Sequence, residues 1–155
     1  VHHHVRYPIA YSDCELQNTN SSTLWGNKSG YAMKSNWFAI GAIAAAIGVT
    51  LGAFGAHALK SRVAEDLLSI FEVGVRYHMY HALALLAVAW AAGRWPGNLV
   101  NASGWLFAIG ILIFSGSLYL MALSGARWLG AITPIGGLCF ILGWIALAMA
   151  ALRSN

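Results

Sequence analysis

The sequence predicts an all-α fold, an integral membrane bundle of four transmembrane helices with a short amphipathic interfacial helix between the first and the second. Two observations lead to this prediction. Of the 155 residues, 59% are hydrophobic and only 9% are charged, whereas soluble domains carry about 25% charged residues. In addition, the chain contains four apolar stretches that approach the roughly 20 residues a helix needs to cross a hydrocarbon core of about 30 Å.

Residues 1–32 differ in composition from the rest of the chain. They are rich in Ser, Asn, Thr, Gly and His and lack a sustained apolar period, which is typical of disordered or peripheral segments. Met33 and Lys34 then open the hydrophobic part as a natural translation start would. We therefore interpret residues 1–32 as a polar leader that is disordered, tag-derived or a mis-called start, and residues 33–155 as the transmembrane domain.

The predicted spans are helices because lipid offers no partner for backbone N–H and C=O groups, which a helix bonds internally. They cover about residues 37–59, 77–93, 104–126 and 128–152. A cleaved secretory signal is the alternative for the first span, but the apolar region of a signal usually has about 7 to 15 residues, and this one is longer. Positive charges are nearly balanced between alternate loops, so the membrane orientation stays open.

An amphipathic helix is predicted at residues 61–76, where apolar residues recur at every fourth position from Val63 to Val75. We expect it to lie along the membrane surface before the chain turns inward. Within it, Glu72 and Arg76 have the spacing and order that favour an ion pair on one helix.

Connectivity places a polar cluster at one face of the bundle, because one group of polar residues closes the first span and another opens the second. Its predicted members are His57, Glu72, Arg76, Tyr77, His78, Tyr80 and His81. Pro134 near the start of the fourth span is predicted to kink that helix at the same face, because proline removes a backbone donor.

Three interpretations of the histidines remain open. The first is interfacial anchoring with hydrogen bonds between helices, the second is a proton or ion relay, and the third is ligation of a metal or haem. Two histidines on one helix without a cysteine or carboxylate ligand pattern make a weak metal signal. We therefore assign no metal and no cofactor.

Small residues recur at steps of three or four along one side of the first span: Gly41, Ala45, Gly48, Gly52 and Ala56. Such a stripe lets another backbone approach closely. The stripe predicts packing within the chain, with dimerisation through Gly48 and Gly52 as the alternative.

Four motifs in order carry a family resemblance: Gly52–Leu59, Tyr77–Leu85, Phe114–Leu120 and Ile132–Gly137. Together they resemble the bacterial family called domain of unknown function 423, which comprises YgdD-like and YwdK-like membrane proteins and is related to eukaryotic transmembrane protein 256. The resemblance covers the chain from Met33 onward. It implies a multi-pass protein of the bacterial inner membrane with no established activity, and the leader departs from the family pattern.

The function predicted from these observations is that of a non-enzymatic structural or accessory subunit. The chain lacks a Ser-His-Asp set, a phosphate-binding glycine loop and a paired-carboxylate site. The expected partners are membrane lipid and either a second copy or an unidentified membrane protein; nucleic acid is rejected because the nine Lys and Arg are scattered. The alternatives are a small transporter or channel subunit and a haem- or metal-binding membrane protein.

Overall fold

The computed structural model describes the backbone of residues 28–153 and the side chains of residues 36–153. Within that range every regular element is helical, which confirms the all-α prediction there. Four long helices make up the described chain: α1 at Lys28–Phe54, α2 at Glu65–Arg94, α3 at Asn98–Ser124 and α4 at Thr133–Leu152. Because the connections between them are short, consecutive helices run antiparallel.

Helix α1 begins before Met33, so the last residues of the predicted leader are helical; residues 1–27 lie outside the described residues. A π-helical turn, Gly55–Leu59, continues α1, and the Lys60 N–H donates to the Gly55 carbonyl at 3.2 Å. The i to i+5 spacing of this turn widens the end of the helix. His57 lies in the turn and is exposed.

The predicted amphipathic helix and the predicted second span form one helix. Helix α2 runs through 30 residues without a break, so the predicted inward turn before Tyr77 is wrong. The reason is that the two segments share one buried face, which includes Phe71, Gly74, His78 and Leu85 at helical spacing. At 1.5 Å per residue α2 is about 45 Å long, which exceeds a hydrocarbon core of about 30 Å.

Helix α3 starts earlier than predicted, at Asn98 instead of Gly104. Polar side chains between the predicted second and third spans are satisfied within the bundle: Ser103 donates to the Val100 carbonyl at 2.9 Å, and Asn101 accepts from the Trp37 indole at 3.2 Å. A π-helical turn, Ile111–Ser115, lies within α3 between α-helical segments Asn98–Gly110 and Gly116–Ser124.

The chain reverses direction at Gly125, directly after α3. Its φ of 72° is in the left-handed region, which glycine enters without a side-chain clash. The Gly125 N–H donates to the Met121 carbonyl at 2.9 Å. This bond caps α3 and starts the connection to α4.

Pro134 begins a helix and does not kink one. A 3-10 turn, Arg127–Ala131, precedes α4, in which Pro134 is the second residue. The first N–H groups of a helix have no intrahelical partner, so the missing donor costs nothing there. The predicted fourth span therefore contains a break before Thr133, and the predicted kink is corrected to a helix start.

Helices α1 and α2 pack along each other, as do α3 and α4, and α2 also packs along α3. Glycines allow the close approach: Gly41 lies against Leu86, and Gly143 lies against Phe107. The larger hydrophobic core joins these pairs through residues such as Trp37, Leu85, Val88, Phe107 and Phe140. Many other large apolar side chains point outward, which is typical of a surface covered by lipid.

Three helical stretches are long and apolar enough to cross a membrane: Asn36–Leu59, Asn98–Ser124 and Arg127–Leu152. Helix α2 is not among them. Its first half carries acidic and basic residues, and two histidines lie near its middle. By length and composition, the described part of the chain therefore contains three candidate spans.

Candidate functional site

The seven residues of the predicted polar cluster do not form one site. Only His78 and His81 are buried, each with 5% of its surface exposed. The others are exposed to differing degrees: His57, Glu72, Arg76, Tyr77 and Tyr80. The sequence placed these residues at one face by connectivity, which does not determine the direction of each side chain.

The two buried histidines lie near the middle of the bundle, and not at the end of a span as predicted. His78 lies close to Gly48, which is central in the stretch Asn36–Leu59. His81 stacks on Phe140, which is central in the stretch Arg127–Leu152. The prediction was wrong because α2 begins at Glu65, so that both histidines fall well inside it.

His78 joins α2 to α3. Its Nδ1 lies 3.2 Å from the Tyr119 hydroxyl, while its Nε2 is buried and has no hydrogen-bond partner within the described residues. The Ala44 carbonyl of α1 lies near the ring but completes no hydrogen bond. A buried polar atom without a partner costs about 1 to 3 kcal/mol, so the Nε2 of His78 is a destabilising group in this interface.

His81 contacts a different neighbour, helix α4. Its Nδ1 lies 2.8 Å from the Tyr77 carbonyl, and because a carbonyl oxygen only accepts, Nδ1 carries the hydrogen and Nε2 of the neutral ring is an acceptor. The imidazole stacks on Phe140 with ring centroids 3.4 Å apart and planes 5° apart. His81 is thus held by one hydrogen bond and one ring stack.

Two separate grooves receive these histidines. One has a volume of about 750 Å³ and is lined by His81 together with aromatic residues of α2, α3 and α4, including Tyr77, Phe114 and Trp144. The other, of about 420 Å³, lies between α1 and α3 and is lined by His78, Tyr119 and aliphatic side chains. The two imidazoles therefore lie in different grooves and do not point toward a common metal position. Among the described residues, no three His, Cys, Asp or Glu side chains are close enough together to hold a metal ion.

The ion pair predicted between Glu72 and Arg76 is not formed. In the part of the chain that the structure describes, the one ion pair joins the Arg127 guanidinium to the Asp66 carboxylate at 2.6 Å. The hydrogen bond from Arg127 lowers the pKa of the Asp66 carboxyl from its usual value. This pair ties the start of α2 to the turn before α4.

Sequence reasoning missed the residues that fix the two histidines. Tyr119 and Phe140 lie in apolar runs, where an aromatic side chain is more often read as core than as a partner of a polar group. The signal available for Tyr119 was its hydroxyl, which calls for a hydrogen bond when buried. The Ser117 and Thr133 hydroxyls, 2.8 Å apart, were missed for the same reason.

Comparison with known proteins gives consistent matches. A family model described as "Protein of unknown function (DUF423)" matches residues 51–137. The chain is 47% identical over 115 residues to the UPF0382 membrane protein YwdK of Bacillus subtilis, which covers 74% of this chain and 94% of that protein. It is 48% identical over 114 residues to a UPF0382 membrane protein of Staphylococcus epidermidis, covering 74% and 93% of the two chains. No solved structure matches the chain.

The matched segment contains His78, His81, Tyr119 and the residues of the Asp66–Arg127 ion pair. The relatives are named membrane proteins, in agreement with the apolar exterior of the helices. Their names state no activity. By the family model and by relatives that match along nearly their whole length, this chain belongs to the DUF423 family of membrane proteins of unknown function.

Proposed function

We propose that this protein is a multi-pass protein of the bacterial inner (plasma) membrane in which all four helices cross the bilayer, and that it acts as a non-enzymatic structural or accessory subunit. Support for the fourth crossing comes from the packing of α2. Gly41 of α1 approaches Leu85, and Tyr119 of α3 approaches Gly74, so α2 is lined by candidate spans along most of its length. The charged first turns of α2 then extend into the headgroup region as its interfacial part.

The observation that carries the non-enzymatic role is the dispersal of the polar residues. Tyr77 and Tyr80 line one groove with His81, which stacks on Phe140. His78 contacts Tyr119 in another groove, and the remaining members, His57, Glu72 and Arg76, are exposed outside both. An active site requires a nucleophile, base or acid converging on one cavity. These contacts instead favour a packing role, with lipid and another membrane protein as partners.

The test is to identify what the protein binds in its native membrane. Tagged protein would be crosslinked in cells, extracted into lipid nanodiscs and purified, and its companions identified by mass spectrometry. We expect one membrane protein to be recovered in a reproducible ratio. Substrate turnover or solute flux by the purified chain alone would contradict an accessory role.

A proton relay is the second candidate, favoured by the contact between His78 and Tyr119 and by the unpartnered Nε2 near the middle of the bundle. Proton flux into vesicles holding a pH-sensitive dye distinguishes the two. An accessory subunit gives no more flux than protein-free vesicles. A relay gives flux that is lost with His78→Ala and kept with His57→Ala, a matched control in the exposed turn after α1.

A further inference from the structure

One face of α2 is exposed over most of the helix and differs from the other outward faces of the bundle in carrying charge. Its residues recur at steps of three or four, the spacing of one helix face. We call them the α2 stripe: Ser69, Glu72, Arg76, Tyr80, Leu83 and Ala87. Tyr80 and Leu83 expose 59% and 54% of their surface. The stripe thus combines an acid and a base with large apolar and aromatic groups.

The charges of the α2 stripe lie some distance along the bundle from the end at which α1 finishes near Lys60. Val75, next to Arg76, lies beside Gly52 of α1, and Gly52 precedes Lys60 by eight residues, which is about 12 Å along a helix. Neither Glu72 nor Arg76 has an ion-pair partner among the described residues. An ionised side chain that faces lipid at this depth is costly and usually has a partner.

The charge pattern of the stripe is complementary to itself. In a two-fold dimer the same patch meets its own copy, so an acid and a base one turn apart form two reciprocal pairs. Side chains of a helix lean toward its N-terminus, which brings Arg76 of one copy toward the level of Glu72 in the other. In a water-poor interface each pair attracts more strongly than in water.

The glycine stripe of α1 is already occupied. Gly48 lies against Met79 and Gly41 against Leu86, both in α2 of the same chain. The dimer through Gly48 and Gly52 that the sequence left open therefore requires α1 and α2 to separate. The α2 stripe requires no such change.

We propose that a second copy of this chain covers the α2 stripe, with reciprocal ion pairs between Glu72 of each copy and Arg76 of its partner. The two copies have the same membrane orientation and a two-fold axis along the membrane normal. This arrangement rests on the proposed crossing of α2, which topology mapping tests separately from association.

The test uses two copies with different tags, expressed together and co-purified from mild detergent. When both copies carry Glu72→Arg, four cations surround the two-fold axis, and when both carry Arg76→Glu, four anions do. Like charges across an interface are costly. Each reversal should therefore lower recovery of the second tag at least about tenfold. One copy with Glu72→Arg and the other with Arg76→Glu should restore recovery. Arg62→Glu, an exposed reversal outside the stripe, is the matched control and should leave it unchanged.

The combinations also distinguish other occupants of the stripe. If the charges pair within one helix, the double reversal restores the protein but the mixture of single reversals does not, which overturns the proposal. If Arg76 binds a lipid phosphate or the stripe binds another protein, recovery of the second copy is insensitive to Glu72→Arg, which also overturns it. The milder variants Glu72→Gln and Arg76→Gln, with thermal unfolding measured for each protein, separate loss of association from loss of folding.

Discussion

The interface between α1 and α2 and the interface between α3 and α4 are both built on glycine, but their neighbours differ in how far they can move. In the first, Gly48 lies against the Met79 side chain, a flexible thioether that can adopt other rotamers. In the second, Gly136 lies against the backbone of Phe114. A glycine stripe in a sequence therefore predicts that two helices approach closely, but it does not predict whether alanine would be tolerated in place of glycine.

The largest effect is expected at Gly136. A Cβ there would overlap the backbone nitrogen of Phe114, which cannot move without separating α3 from α4. We expect Gly136→Ala to destabilise the protein by about 2 to 3 kcal/mol, the upper part of the range for overpacking. The loss would be measured as a lowered unfolding temperature in detergent micelles.

Gly137 provides a matched control for this prediction. A Cβ at Gly137 would lie 3.8 Å from the Phe114 ring, an ordinary van der Waals distance. Gly137→Ala should therefore leave the unfolding temperature unchanged or raise it slightly, because alanine favours a helix over glycine. Equal destabilisation by the two variants would contradict this account, because the loss at Gly136 would then not come from the approach of α4 to the backbone of α3.

A smaller loss is expected at Gly48. The added Cβ would meet the Met79 sulfur, which can move aside, so Gly48→Ala should cost about 1 kcal/mol. Combining it with Met79→Ala should remove most of that additional cost, because neighbouring residues couple in double-mutant cycles. Additive losses in the double variant would mean that the backbone, and not Met79, limits this interface.

The link between the two helix pairs is tested at Tyr119. Tyr119→Phe removes the hydroxyl that lies 3.2 Å from His78 and leaves both ring nitrogens without a partner. We expect a loss of about 1 kcal/mol, the usual net worth of one hydrogen bond. Tyr77→Phe, which removes a hydroxyl without a hydrogen bond among the described residues, serves as the control, and an equal effect of the two would contradict the assigned contact.

The smallest effect is expected for the exposed pair of Asp66 and Arg127, since exposed ion pairs stabilise little. The hydrogen bond from Arg127 lowers the pKa of folded Asp66 below its usual 3.8, so the stabilisation is present above 3.8 and is lost as pH falls through the lower folded value. Asp66→Asn should slightly lower the unfolding temperature at neutral pH and have no effect in strong acid. A difference that persists in acid would mean that the carboxylate charge is not its source.

Much of the fold could be predicted because hydrophobic length alone determines it. The stretches that became α1, α3 and α4 are long and apolar, and a helix bonds its own backbone groups internally in lipid. Helix α2 was divided wrongly because its polarity changes near Arg76 while its buried face continues. The change in polarity is visible in the composition of the sequence. The continuous buried face of α2 is visible only in its packing against α1 and α3.

The candidate site could be predicted much less well. The sequence singled out His78 and His81, but spacing on one helix does not state which neighbour each ring meets. Their partners Tyr119 and Phe140 come from other helices, at sequence separations that no local pattern connects. Pro134 was misplaced because a proline inside an apolar run indicates a kink and a helix start equally well.

The most direct test of the four-crossing architecture is the accessibility of single cysteines to a membrane-impermeant maleimide, in a chain carrying Cys14→Ser and Cys139→Ser. Ser61→Cys and Ala126→Cys would probe one end of the bundle, and Gly97→Cys and Arg153→Cys the other. We predict that the first two react from one side of the membrane and the last two only from the opposite side. Reaction of Gly97→Cys from the same side as Ser61→Cys would mean that α2 does not cross, and would contradict the account.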